Sequence, residues 1–195
     1  MLILGIDPGS RVLGYSLLQY EADKAPQLVL MDVLNIKDMS DFHLRLRKIY
    51  ETTVRLIDSH HPDHLAIEAP FVGKSVQSMM KLGKAQGVAI AAALSRNLSF
   101  TEHEPAAVKQ RVTGNGNASK EQVAAVIQSV FGVTQQPRYY DATDALAVAY
   151  TCYLEQTDPL ADVRRELRQS SRKRSARASW GDFVQQNPDL INSGG

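Results

Sequence analysis

Four acids stand where the chain is most sharply punctuated. Asp7 immediately precedes Pro8-Gly9, and Glu68 closes the apolar run Leu65-Ala66-Ile67. Asp141 and Asp144 lie three residues apart at the start of an alanine-rich segment, so both project from one helical face. Several carboxylates without thiols or a clear imidazole partner suit a hard, oxygen-preferring cation such as Mg2+ or Mn2+. Two such ions about 4 Å apart activate a water and stabilise the leaving oxygen of a phosphodiester. Without metal, clustered acids repel one another and some of their pKa values rise. Each acid also has a plainer role. Asp before Pro-Gly is ordinary turn chemistry, and Asp141 and Asp144 suit an N-cap and a first helical turn. Glu68 fits such a role least, because an acid ending an apolar strand needs a partner. Spacing alone leaves both readings open.

The elements that would carry these acids follow from periodicity. Leu2, Leu4 and Ile6 alternate with Ile3, Gly5 and Asp7, a strand period, and Pro8-Gly9-Ser10 is a turn. Residues 12–20 and 28–36 are rich in aliphatic and β-branched side chains, which predicts a three-stranded meander. Across 40–59 the period becomes helical, with Phe42, Leu46, Ile49, Tyr50, Thr53 and Ile57 on one face. A short strand at 64–68, a long helix at 75–95 and a fifth strand at 98–102 follow. Ser119-Lys120-Glu121-Gln122 has capping-box form and opens a helix towards Phe131, and 141–156 reads as the last helix. This order predicts an α/β fold, a mixed five-stranded sheet with helices on its faces. The acids then fall at strand ends and a helix start, where open α/β sheets bind ligands.

Composition narrows the class. A chain of 195 residues with 44% hydrophobic and 22% charged residues supports one cored domain and excludes wholesale disorder. No run approaches the ~18 apolar residues of a membrane span, and the apolar start is broken by Asp7 and Arg11. Cys152 is the only cysteine, so a reducing, cytoplasmic setting is expected. The net charge of +1 conceals blocks: residues 74–120 carry seven basic and two acidic groups, and acidic blocks lie on either side. Lys74, Lys81, Lys84, Lys109, Arg111 and Lys120 are therefore candidate phosphate contacts, which give affinity without sequence information; a solvated surface accounts for such residues too. The Thr113–Asn117 loop delivers Lys120 to a helix start, a phosphate-binding position, although a plain loop fits as well. Residues 1–158 read as the folded domain and 159–195, rich in Arg and Ser, as a flexible basic extension. His60, His61 and His64 straddle Pro62 without ligand spacing. His103, between Glu102 and Glu104, reads as a surface residue, and Cys152 as core.

Four stretches carry a resemblance. LGIDPGSRVLGYSL, LAIEAPFVGKSVQSMMKLGKAQGVAIAAAL, VKQRVTGNGNASKEQV and YYDATDALAVAY resemble, in order and spacing, the RuvC family of bacterial Holliday-junction resolvases, through residue 155 or so. The resemblance implies a ribonuclease H-like fold and Mg2+-dependent cleavage of four-way DNA junctions by paired symmetric nicks. It also implies two Mg2+ per site, with Mn2+ as a substitute, a homodimer, and work alongside the RuvA/RuvB branch-migration complex. The family's catalytic acids fall on Asp7, Glu68, Asp141 and Asp144, its DNA-contacting cations on Lys109 and Lys120, and its junction aromatic on Phe71. The extension beyond residue 160 is matched by nothing in this resemblance.

Three other functions compete. An actin-like ATPase or sugar kinase shares the scaffold and a strand–Asp–x–Gly turn, but it needs a second nucleotide-binding domain for which 195 residues leave no room. A ribonuclease H-like nuclease on another substrate, such as an RNA–DNA hybrid, would use the same acids. A non-catalytic junction-binding module would bury four unpaired carboxylates at a cost with no return. For a dimer, the candidate element is the helix from Val76 to Leu94, whose methionines and alanines allow close packing.

Overall fold

The computed structural model describes residues 1–22, 24–70, 75–133 and 140–158. Its elements run β1 (Leu2–Asp7), β2 (Val12–Gln19), β3 (Gln27–Asn35), α1 (Phe42–His60), β4 (His64–Glu68), α2 (Val76–Leu94), β5 (Ser99–His103), α3 (Pro105–Thr113), α4 (Lys120–Phe131) and α5 (Tyr140–Gln156). The strands form one sheet in the order β3-β2-β1-β4-β5. β1, β2 and β3 make the expected antiparallel meander, while β4 and β5 run parallel to β1. Residues Met1–Leu154 form one compact unit. No described helix is long and apolar enough to cross a membrane.

Strand alternation sorts the core into two layers. Leu4, Ile6, Leu65 and Ile67 pack on one face with Ile49, Leu56, Ala85 and Ala89 of α1 and α2. Ile3, Leu18 and Ala66 pack on the other with Val108, Val123, Ile127, Leu146 and Ala149 of α3, α4 and α5. The alanines of α2 at 85, 89, 92 and 93 are buried, so they pack inside the protomer and are not free to meet a partner.

Local chemistry closes the helices. Asp41 caps α1, its side chain accepting from the His43 amide at 2.7 Å, and His61 ends the helix with φ 50°. The capping box at α4 forms in both directions, with Gln122 N donating to Ser119 Oγ at 3.3 Å and Ser119 N to Gln122 Oε1 at 2.8 Å. Helix α3 is an element the periodicity misses. Pro105 starts it, Gly114 ends it at φ 77°, and Val108 is its one buried residue.

Two glycines let α5 settle on the sheet. A Cβ at Gly5 would lie 2.2 Å from the Ala145 carbonyl oxygen, and one at Gly14 would lie 1.8 Å from that of Asp141. The backbone of α5 thus rests directly on β1 and β2.

Candidate active site

The parallel register aligns Ile6 with Ile67, so the residues that follow, Asp7 and Glu68, end their strands side by side. Alternation turns both towards the face occupied by Ile3 and Ala66, beneath α5. Beyond this point the chain diverges, from β1 back into β2 on one side and from β4 through α2 into β5 on the other, the kind of switch where α/β sheets open a cleft. The seat at Gly14 brings in Asp141 and Asp144 from the first turns of α5, α3 contributes Lys109, and α4 contributes Lys120. These six side chains line one cleft of about 920 Å³ together with Pro8, Gly9, Gly116 and Asn117, and Val108, Val123 and Ala147 supply apolar wall.

The acids are held under electrostatic stress. Asp7 is 9% exposed. Its pKa is raised well above the ordinary aspartate value, first by burial, then by the charge of Glu68 and a hydrogen bond shared with it, and by Asp144. Burial also raises Glu68; its hydrogen bond with Asp7 and the charges of Lys120 and Lys109 oppose the rise. Asp144 is raised by burial against the pull of Lys120, whose Nζ donates to Oδ2 at 2.6 Å. Burial works against the Lys120 ammonium, yet Asp144, Asp7 and Asp141 together raise its pKa above the ordinary lysine value. Burial and mutual repulsion thus favour the protonated form of Asp7 and Glu68 more than in free carboxylates, while the Lys120 ammonium faces Asp144.

As they stand, no three or more His, Cys, Asp or Glu side chains among the described residues close into a finished metal cage. The donor set nevertheless fits a hard cation. It is all carboxylate, with Asp7 buried and Glu68, Asp141 and Asp144 half-buried, and a divalent ion would offset the repulsion among these acids. Gln86, buried on α2, supports the site from beneath by donating from Nε2 to the Glu68 carbonyl at 3.4 Å.

The other candidate residues divide. Lys81 and Lys84 are exposed on α2 and Arg111 is half-buried on α3, and none of them lines the cleft. Phe71 and Lys74 lie outside the described residues. His103 corrects the sequence reading: it is buried, at 4% exposure. Its acidic neighbours are exposed, but alternation turns His103 inward, and its register with Glu68 puts both on one face. Both ring nitrogens of His64 are engaged by hydroxyls, Nδ1 with Ser99 at 2.8 Å and Nε2 with Thr101 at 2.6 Å, so the ring ties β4 to β5. Cys152 is buried in the second core layer, as expected.

A mixed sheet in this order, with acids ending two adjacent strands and a third and fourth on a helix laid across them, defines a ribonuclease H-like nuclease. The family model for crossover junction endodeoxyribonuclease RuvC matches residues 3–152. Proteins of that name from Bacteroides fragilis and Christiangramia forsetii are 42% and 45% identical, over 97% of this chain each and 95% and 92% of theirs. The solved structure of Thermus thermophilus RuvC in complex with Holliday junction substrate matches with a TM-score of 0.71 at 28% identity, covering 77% of this chain and 92% of that one. The chain belongs to the RuvC family of crossover junction endodeoxyribonucleases, whose nucleases are metal-dependent. The alignments to the two relatives reach into residues 159–195, so the extension does have counterparts, contrary to the expectation from motif resemblance. That resemblance rests on motifs, and the extension has none.

Proposed function

We propose that this chain resolves four-way DNA junctions by paired, symmetric hydrolysis of phosphodiesters, with Asp7, Glu68, Asp141 and Asp144 as its catalytic acids. The observation that carries the reading is the meeting of these four carboxylates with Lys109 and Lys120 in one cleft, in a chain of this family. The acids would hold Mg2+, two ions per site, with Mn2+ able to substitute. Bound there, such ions lower the pKa of an attacking water and offset charge on the leaving oxygen. The chain's own groups do the rest. Burial keeps the carboxylates out of bulk water, which strengthens every charge interaction in the cleft. Lys120 holds Asp144 in place and, with Lys109, sets positive charge beside the path of a phosphate. Lys81, Lys84 and Arg111 extend the DNA contacts beyond the cleft, and Phe71 and Lys74 are further DNA contacts.

Paired nicks on opposite strands require two sites related by a two-fold axis, hence a homodimer. Val76, Met80, Gly87, Ala91 and Leu94 form an exposed stripe along α2, and a Cβ at Gly83 or Gly87 meets nothing within 4 Å, as suits a face that receives a second copy. The RuvA/RuvB complex is the further partner, and the cytoplasm the compartment. The test is one gel. A labelled four-way junction, a plain duplex and an RNA–DNA hybrid are incubated with the protein, with and without Mg2+. Symmetric nicks in the junction alone, and only with metal, are expected; faster cutting of the hybrid would overturn the reading. Sedimentation at micromolar concentration tests the dimer, and a fully active monomer would refute it.

A further inference from the structure

The turn that carries Asp7 into the cleft is held from behind. Pro8 and Gly9 form part of the cleft wall, and the turn is tight enough that a Cβ on Gly9 would lie 1.6 Å from the Val12 carbonyl oxygen. Outside the cleft, half-buried Arg45 in the first turns of α1 spreads its guanidinium over three backbone carbonyls. Nε donates to Met39 at 2.6 Å, Nη1 to Ser10 at 3.2 Å and Nη2 to Lys37 at 3.3 Å. Ser10 belongs to the β1–β2 turn, whereas Lys37 and Met39 belong to the β3–α1 connection, so one planar fork joins two loops. The same loops meet in the hydrogen bond from Ile36 N to the Arg11 carbonyl at 2.9 Å. A cation in the opening turns of a helix opposes the helix dipole, so local helix chemistry does not account for arginine here. Its carbonyl partners do.

We infer that Arg45 is a positioning residue for cleavage, acting through the Ser10 carbonyl to fix the turn that aims Asp7. Only Pro8 and Gly9 separate Ser10 from Asp7, and Pro8 has a fixed φ, so movement at Ser10 carries over to the carboxylate. The inference rests on the reading of the cleft as a cleavage site. Arg45 is not among the described residues that line the cleft, which sets it apart from the acids and lysines above.

Arg45→Met keeps the stem and removes the fork, and Arg45→Lys keeps the charge but cannot reach both loops. The measurements are single-turnover junction cleavage at saturating protein, junction affinity in EDTA, thermal melting, and hydrogen exchange at residues 9–12. For Arg45→Met the cleavage rate should fall about 10- to 100-fold, the cost of a misplacement near 1 Å. Affinity should stay within about twofold and exchange should quicken at the turn, with Arg45→Lys between the two proteins. A cleavage rate within about twofold of wild type would overturn the inference. So would loss of rate, affinity and melting temperature together in both variants, which would make Arg45 part of the fold and not of the site. If the wild-type protein failed to cut, the cleavage reading would fall, and the exchange comparison would still decide whether Arg45 holds the turn.

Discussion

Replacing Gly14 with alanine tests how the helix-borne acids reach the sheet-borne ones. The added Cβ would lie 1.8 Å from the Asp141 carbonyl oxygen, 2.3 Å from its carbon and 3.0 Å from Ala142 N. These are backbone atoms, so no side chain can rotate away. To restore even a 3.0 Å contact, the first turn of α5 must retreat by the difference between 3.0 and 1.8 Å, at least 1.2 Å. Asp141 and Asp144 move with it while Asp7 and Glu68 stay on the sheet. Misplacing reacting groups by about 1 Å costs on the order of 100-fold in rate, or about 2.7 kcal/mol of transition-state stabilisation. Overpacking adds about 1–3 kcal/mol of lost fold stability. The assay is single-turnover cleavage of a labelled junction beside junction affinity in EDTA, with Ile49→Val as a control. That variant loosens the opposite core layer by about 0.5–1.5 kcal/mol without touching α5. Gly14→Ala should cut about 100-fold more slowly at unchanged affinity while Ile49→Val cuts normally. If Gly14→Ala cuts within about threefold of wild type while folded, the seat does not set the acids and the argument fails.

Asp7→Asn, Glu68→Gln, Asp141→Asn and Asp144→Asn should each lower cleavage by on the order of 1,000-fold while junction binding survives, since shape is kept and a ligand charge is lost. Near-normal cutting by one of them would remove that residue from the site. His64 gives a pH test: burial lowers its pKa, so its contribution to stability is whole above the unfolded value of about 6.5 and is lost as pH falls from there towards the lower folded value. The raised pKa values of Asp7 and Glu68 work in the opposite direction, so the comparison must be with His64→Phe, whose urea midpoint should fall less between neutral and mildly acidic pH; identical pH slopes would refute it. Deleting residues 161–195, which carry Arg164, Arg165, Arg168, Arg172, Lys173, Arg174 and Arg177, should weaken duplex and junction binding by similar factors and flatten both salt slopes. Unchanged slopes would show that the extension does not bind DNA.

The sheet-borne half of the site is legible in the sequence because its cause is local. Alternation in Leu2–Asp7, an apolar run ending in Glu68, and the Pro8-Gly9 turn all lie within a few residues of the acids they place. The capping box at Ser119 is equally local, and it puts Lys120 at the head of α4. What escapes notice has causes far along the chain. Nothing around Gly14 shows that Asp141 will rest on it. His103 looks exposed between two glutamates until its register with Glu68 fixes which way it faces. Arg45 resembles the other cations of α1 until the loops at Ser10 and Lys37 fold over it. Helix α3 is missed for a different reason: nine residues with one buried side chain leave too little periodicity to read.

The two halves of the site should also fail in different ways. Asp7 and Glu68 are fixed by strand register, and a slip of one residue would turn either side chain to the opposite face of the sheet. No intermediate position exists, so changes that disturb the β1–β4 pairing should leave a population divided between fully active and inactive molecules. Asp141 and Asp144 are fixed by the depth at which α5 sits, which varies continuously with the side chain beneath it. Gly14→Ala, Gly14→Ser and Gly14→Val should therefore slow cleavage in the order of their volumes, every molecule being impaired to the same degree. Active-site titration separates the cases, since a seat variant keeps its full count of active sites at a lower rate constant. If Gly14→Ala instead retained the wild-type rate constant with fewer active molecules, depth would not be the controlling variable, and α5 would have to be treated as docked or undocked.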